Sequence, residues 1–308
     1  MKPPSNIDAV AKKTIRVNGL KAIFEVPACE FYKTTGLFQG DKLVISLASS
    51  ESKTGKVTRT VSQELLFYYS GVCVEKASSL SVGSDSDEEQ TNHTSKIALD
   101  EWDAETFDMA LQWMHTGNVI TNIKSSKPFE QVRSYIQFFK IAKALELEGS
   151  LKMVEQNLKN ALIAATEKKD DEDTKNNKDN GVNRVNEDED AFDCNPTFKE
   201  TLKDAFTHPI DESARELLAS FLVEPYVKHL LNAEPANAKP TAKKFKDLFK
   251  AVDGLELKVL RYVASLLDGM TLGKPESGDF SPLSMRSPLT GKRFKTGSTF
   301  KRTVVAAK

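Results

Sequence analysis

Between Lys96 and Gly117 the chain reads KIALDEWDAETFDMALQWMHTG, and the period of its apolar positions changes once. Over Lys96-Ile97-Ala98-Leu99, Ile97 and Leu99 alternate with their neighbours, as in a strand with one buried face. Asp103 then stands where a helix N-cap belongs, and Glu105 puts a negative charge into the first turn, where the helix dipole favours it. Phe107, Ala110, Leu111 and Met114 follow at i, i+3, i+4 and i+7 as one apolar stripe, with Trp113 beside it. Gly117 falls at the left-handed C-cap position. The spacing predicts a strand, a capped helix and a stop, and the other elements are organised around this unit.

Upstream, Leu43, Ile45 and Leu47 point one way while Val44, Ser46 and Ala48 point the other. A polar loop from Ser49 to Gly55 leads to a second strand around Val57 to Val61, so a hairpin-like pair is expected. Ser62 caps a helix whose buried face is Leu65, Leu66 and Tyr69 and which ends at Ser70-Gly71. Lys76 to Ser95 is polar, acidic and aperiodic, and reads as a loop. Downstream, Pro128 starts a helix with Val132, Tyr135, Ile136, Phe139, Ala142 and Lys143 on one face, widened by Phe138, Ile141 and Leu145. Gly149 separates it from a further helix bearing Leu151, Val154, Leu158, Ala161 and Leu162.

This order resembles the BTB/POZ family, in the form found in fungal proteins. The carrying residues are Val61-Ser62-Gln63-Glu64-Leu65-Leu66 with Ser70, the I-x-L strand, and the ending Trp113-Met114-His115-Thr116-Gly117. The resemblance covers residues 39–165 and implies an α+β fold, a small mixed sheet flanked by helices. It also implies self-association or attachment to a scaffold, including service as a substrate adaptor for a cullin-type ubiquitin ligase. Some positions depart from the family. Ser62 replaces its usual His, Gln63 its basic residue, Lys42 stands at the position of its Asp, and Cys73 lies near the position of a large aromatic. The charged pocket that this Asp and basic residue line in animal BTB transcription factors is therefore not carried over.

The flanks have other compositions. In residues 1–38, Ile15 and Val17 alternate among interruptions at Pro3, Pro4 and Pro27, which suits a mobile arm or a short strand added to the domain edge. Residues 166–194 carry eleven acidic and five basic residues with little apolar to bury, the composition of a disordered acidic linker. Residues 195–270 hold short amphipathic helices, with stripes at Phe198, Leu202, Ala205 and Phe206, then at Ala214, Leu217, Leu218, Phe221 and Leu222. That second stripe continues through Tyr226, Leu230 and Leu231. Two more follow, at Phe245, Leu248, Phe249 and Val252, and at Leu257, Leu260, Val263, Ala264 and Leu267. Such helices bury their stripes in a helical subdomain, or dock on the preceding domain or a partner. Residues 271–308 carry eight basic and two acidic residues and read as a basic disordered tail. Lys292-Arg293-Phe294-Lys295 there suits a nucleic-acid backbone, an import receptor, the acidic linker or plain solvation. Ser281-Pro282 and Ser287-Pro288 have proline-directed kinase character, and Ser84 and Ser86 precede acidic residues in a segment that reads either as kinase substrate or as a solvated loop.

Composition narrows the function classes. Of 308 residues, 39% are hydrophobic and 28% charged, and a mean hydropathy of −0.41 predicts that part of the chain is unfolded. The three cysteines, Cys29, Cys73 and Cys194, are dispersed, which suits a reducing compartment. No apolar run approaches a membrane span and MKPPSNIDAV lacks a signal core, so an intracellular protein of nucleus or cytoplasm, without membrane partners, is expected. His93, His115, His208 and His229 lack companions at zinc spacing, and His115 reads as a dipole partner at its helix end. Gly269 to Lys274 is one residue short of a phosphate loop, with Pro275 in place of its Ser or Thr, and there is no G-x-S-x-G elbow. No catalytic, cofactor-binding or metal residue is assigned. The expected function is a protein-interaction adaptor, with protein partners such as a homodimer mate or a cullin. The alternative is a chromatin- or nucleic-acid-associated regulator using the basic tail, and an enzyme ranks third.

Overall fold

Elements in the computed structural model begin where the period of the sequence changes, and the residues described are 41–48, 55–81, 96–167, 195–232, 239–268 and 284–295. The chain divides into two compact units, residues 1–157 with 209–211, and residues 158–208 with 212–308. The architecture is mixed α and β. The arm within 1–38, the acidic stretches at 82–95 and 168–194, and Ser281 lie outside the described residues.

In the first unit, β1 (Lys42–Ala48) pairs antiparallel with β2 (Lys56–Ser62), Leu43 facing Val61 and Leu47 facing Val57. β3 (Lys96–Asp103) lies parallel to β1 with Ile45 opposite Ile97 and Leu47 opposite Leu99, giving the strand order β2-β1-β3. β3 runs on past Leu99, where the alternation seen in the sequence stops, to the cap residue Asp103. Leu43, Ile45, Leu47, Ile97 and Leu99 are fully buried on one face, as the period-two pattern requires.

Helix α1 (Gln63–Tyr69) starts at Ser62, whose hydroxyl accepts from the Leu65 N–H at 3.5 Å. Leu66 is fully buried, whereas Leu65 and Tyr69 are half-buried. The stretch from Lys76, expected to be loop, differs in its first part: α2 spans Gly71–Ser81. Ser70 explains it, because the residue that ends α1 also caps α2, its Oγ accepting from the Cys73 N–H at 3.2 Å. The same hydroxyl donates to the Leu145 carbonyl at 2.6 Å and is 1% exposed.

Helix α3 (Ala104–Thr116) has Asp103 as N-cap, accepting from the Thr106 N–H at 2.8 Å, and Gly117 as left-handed C-cap at φ 69°. Every residue from Thr106 to Met114 is buried, so α3 is enclosed on all sides rather than along one stripe. Helix α4 (Pro128–Ala144) has Pro at its start and buries Val132, Tyr135, Ile136, Phe138, Phe139, Ile141 and Ala142. Lys143, placed on that face by spacing alone, is exposed, because an ammonium loses too much hydration in an apolar core. Helix α5 (Lys152–Glu167), whose residues from Leu158 onward belong to the second unit, buries Val154, Leu158, Ala161 and Leu162.

In the second unit, α6 (Pro196–Thr207) is capped by Asn195, and its last carbonyls are met by Arg215, whose guanidinium donates to Ala205 O at 3.1 Å and His208 O at 2.8 Å. α7 (Glu212–Asn232) continues through Pro225, and its Tyr226 meets Phe245 and Phe249 of α8 (Lys239–Ala251) edge-on. α9 (Leu255–Asp268) differs from expectation. Leu255 and Val259 are buried, whereas Leu257, Leu260 and Leu267 of the expected inward stripe are 57%, 40% and 52% exposed. The helix has two apolar faces, and the inward one also carries Lys258, ion-paired with Glu212 and Glu216 of α7.

The tail expected to lack structure contains a hairpin, β4 (Ser284–Arg286) and β5 (Arg293–Lys295). Met285, Leu289 and Phe294 are buried, Gly291 turns at φ 69°, and the Lys228 ammonium lies 5.8 Å from the Phe294 ring centre. Basic composition masked this short alternation. Ser287 is buried in the turn, where its N–H donates to Lys292 O at 2.9 Å.

Replacing Ser70 with Ala strands a buried carbonyl and removes a cap, so it should cost about 1–3 kcal/mol in denaturant unfolding of the full chain. A change below about 0.5 kcal/mol would mean that this hydroxyl does not join α1, α2 and the end of α4.

Candidate functional site

The first unit places its polar side chains in structural roles before any surface is reached. Asp108, 2% exposed in the middle of α3, takes a two-pronged contact from Arg59 on β2, Nε and Nη2 each at 2.9 Å. Burial pushes its carboxyl up, and the neighbouring guanidinium pulls it back part of the way. Gln112 is likewise buried, and its Oε1 accepts from the Ile120 N–H at 2.7 Å, holding the turn after α3. Asn157 secures the same turn by donating to Asn118 Oδ1 at 2.7 Å and Val119 O at 3.1 Å.

The residues with reactive chemistry are committed in the same way. Burial pushes the Cys73 thiol up, against the Ser70 hydrogen bond and the Lys76 charge, so it is held as a thiol rather than a nucleophilic thiolate. Burial pushes His115 down to about 4, which corrects its reading as a dipole partner: at neutral pH the ring is uncharged. Gln63, at the position where the resemblance implies a basic residue, donates its backbone N–H to Asp41 O at 2.9 Å. Among the described residues no three His, Cys, Asp or Glu side chains are grouped to hold a metal ion, and no helix is long and apolar enough to cross a membrane.

What this framework offers outward is a recess and three exposed apolar side chains. The recess, about 560 Å³, lies where α4 ends and α5 begins, with Phe139, Ala142, Leu147 and Leu151 as apolar lining and Lys143, Glu146, Lys152 and Glu155 supplying charge of both signs. Its wall includes a constrained turn. Glu146 adopts a left-handed φ of 49°, Glu148 N–H donates to Tyr69 O at 2.9 Å, and Gly149 sits at φ 153°. A β-carbon on Gly149 would lie 2.7 Å from Cη2 of Trp113, so the indole packs directly behind the turn. Trp113 in turn meets Tyr69 edge-on at 5.4 Å and Phe138 at 6.3 Å between ring centres. Tyr68, Val74 and Met153 are large apolar side chains left exposed in this unit, at 49%, 36% and 56%. An open recess with apolar lining and mixed charge, together with exposed Tyr, Val and Met, suits peptide or protein contact.

Compared with known proteins, the chain matches no family model and no curated protein. The sequence flagged Gly149 and Trp113 as a separator and a stripe neighbour. Their contact was not readable, because it joins residues thirty-six positions apart. The Arg59–Asp108 pair also went unread, since an arginine in a strand and an aspartate in a helix carry no local sign of each other.

Gly149→Ala should destabilise the full chain by about 1–3 kcal/mol, and Trp113→Phe in the same chain should recover part of the loss by withdrawing the clashing ring edge. Strictly additive losses would show that the two residues do not meet. For His115, the unfolded chain takes up its proton near pH 6.5 and the folded chain only near 4. Its contribution to stability is therefore present above pH 6.5 and lost as the pH falls toward and through 4. His115→Gln should flatten the decline in unfolding free energy across that window, and an unchanged slope would mean that the ring titrates as if exposed.

Proposed function

We propose that this chain is a protein-interaction adaptor whose first unit is of the BTB/POZ type. The supporting observation is the agreement between the quoted motif residues and the order strand, strand, two helices, strand, two helices and the start of a third, with β3 parallel to β1. Ser70 strengthens the reading, since the serine singled out by the motif is the one whose hydroxyl ties α1 and α2 to the end of α4. On this reading the outer surface of the unit, including Tyr68 and Val74, contacts a second copy or a scaffold such as a cullin, and the helical unit holds the recruited protein.

A second reading, a nucleic-acid-associated regulator, draws on the hairpin. Arg286 and Arg293 are paired across β4 and β5 and are both exposed, so two cationic side chains leave the same face of the hairpin.

Light scattering of the full chain over a range of concentrations, with parallel capture of a cullin scaffold, tests the first reading. The expected result is a mass of two chains already at low micromolar concentration that Tyr68→Glu with Val74→Glu reduces to one at that concentration without loss of helicity, or else capture of the cullin. A single-chain mass at every concentration together with no capture would end it.

A further inference from the structure

Helix α9 has its two apolar faces on opposite sides. Leu255 and Val259 are buried, and Lys258, 14% exposed, is ion-paired to Glu212 and to Glu216 at 2.6 Å for the latter, so this side is fixed on α7. On the other side Leu257, Leu260, Ala264 and Leu267 are all exposed. They are spaced three, four and three residues apart, the seam spacing of a two-helix coiled coil, narrower than the broad stripe a helix presents to a globular core. With Leu257 and Ala264 as the a positions, Leu260 and Leu267 take both d positions, where leucine favours parallel pairs.

The flanking charges indicate what covers this seam. In the same heptad register Glu256 is a g position and Arg261 the following e position, and both are exposed. When two such helices lie parallel and in register, Glu256 of each chain stands beside Arg261 of the other, so the seam is bordered on each side by an ion pair. The surface is thus complementary to itself in shape and charge. We propose that the outward face of α9 is a self-pairing surface, on which a second copy of this chain lays its own α9 parallel and in register. Because α9 is already held on α7, pairing does not have to order the helix. Two short helices bury less than a standard interface, so association on the order of tens of micromolar is expected. The proposal does not rest on the BTB/POZ reading, and a first unit that stays monomeric leaves it standing.

The test uses the full chain with Leu260→Cys, under mild oxidation at protein concentrations from micromolar to about a hundred micromolar. Matching d positions face each other in a parallel pair, so this variant should cross-link to its own copy severalfold more than the parent. Ser265→Cys, on the flank of the same helix, should cross-link no more than the parent. Adding Glu256→Arg alone or Arg261→Glu alone to Leu260→Cys should lower the yield severalfold, and the two together should restore it. All these positions are exposed or half-exposed, and circular dichroism checks that each variant keeps its helicity. Leu260→Cys cross-linking no better than Ser265→Cys would overturn the proposal. So would failure of the double charge reversal to restore the yield, or cross-linking only between a Leu260→Cys chain and an Ala264→Cys chain, the signature of antiparallel pairing. A two-chain mass that persists with Leu260→Glu and Leu267→Glu belongs to the first unit and supports the adaptor reading instead.

Discussion

The ion pair between Arg59 and Asp108 is the constraint on which the first unit depends. A carboxylate in the middle of a fully enclosed helix is tolerable only if its charge is matched and its oxygens are bonded, and the guanidinium from β2 does both. That requirement constrains the rotation of α3 against β2. The aromatic contacts of Trp113 and the polar anchors of Gln112 then follow from one orientation of α3, since both project from the same helix. A buried pair of this kind adds little net stability compared with apolar residues of similar volume. Its contribution is to make other arrangements of the helix expensive.

Around α3 the structure repeatedly uses one side chain for two connections. Ser70 closes one helix, opens the next and bonds the end of α4. Trp113 fills the core and backs the turn at Gly149, which lines the recess. Asp103 both ends β3 and caps α3.

Much of this was legible in the sequence. The Leu43-Ile45-Leu47 and Ile97-Leu99 alternations, the caps at Ser62, Asp103 and Gly117, and the breadth of the apolar face of α4 are local patterns, and local physics produces them. What escaped was non-local or ambiguous. Helix α2 was hidden because its apolar residues form no clear helical stripe and its start depends on a serine already assigned to the previous helix. The hairpin over 284–295 was hidden by its basic composition, although Met285 and Phe294 alternate as a strand requires. In α9 the period was right and the direction was wrong, since two apolar faces compete, and the inward one carries Lys258, which meets the distant carboxylates of Glu212 and Glu216. Of the candidate site, Tyr68, Val74 and Met153 drew no notice in the sequence, and their exposure appears only in the structure. Exposure depends on the whole fold.

Hydrogen exchange under native conditions measures most directly whether α3 is the element that holds the first unit together. Amides from Phe107 to Trp113 should exchange only when the unit unfolds as a whole, with opening free energies equal to its global stability, while those of α2 should open at lower cost. Exchange through α3 that is as fast as through α2, in a chain that is otherwise folded, would contradict the account.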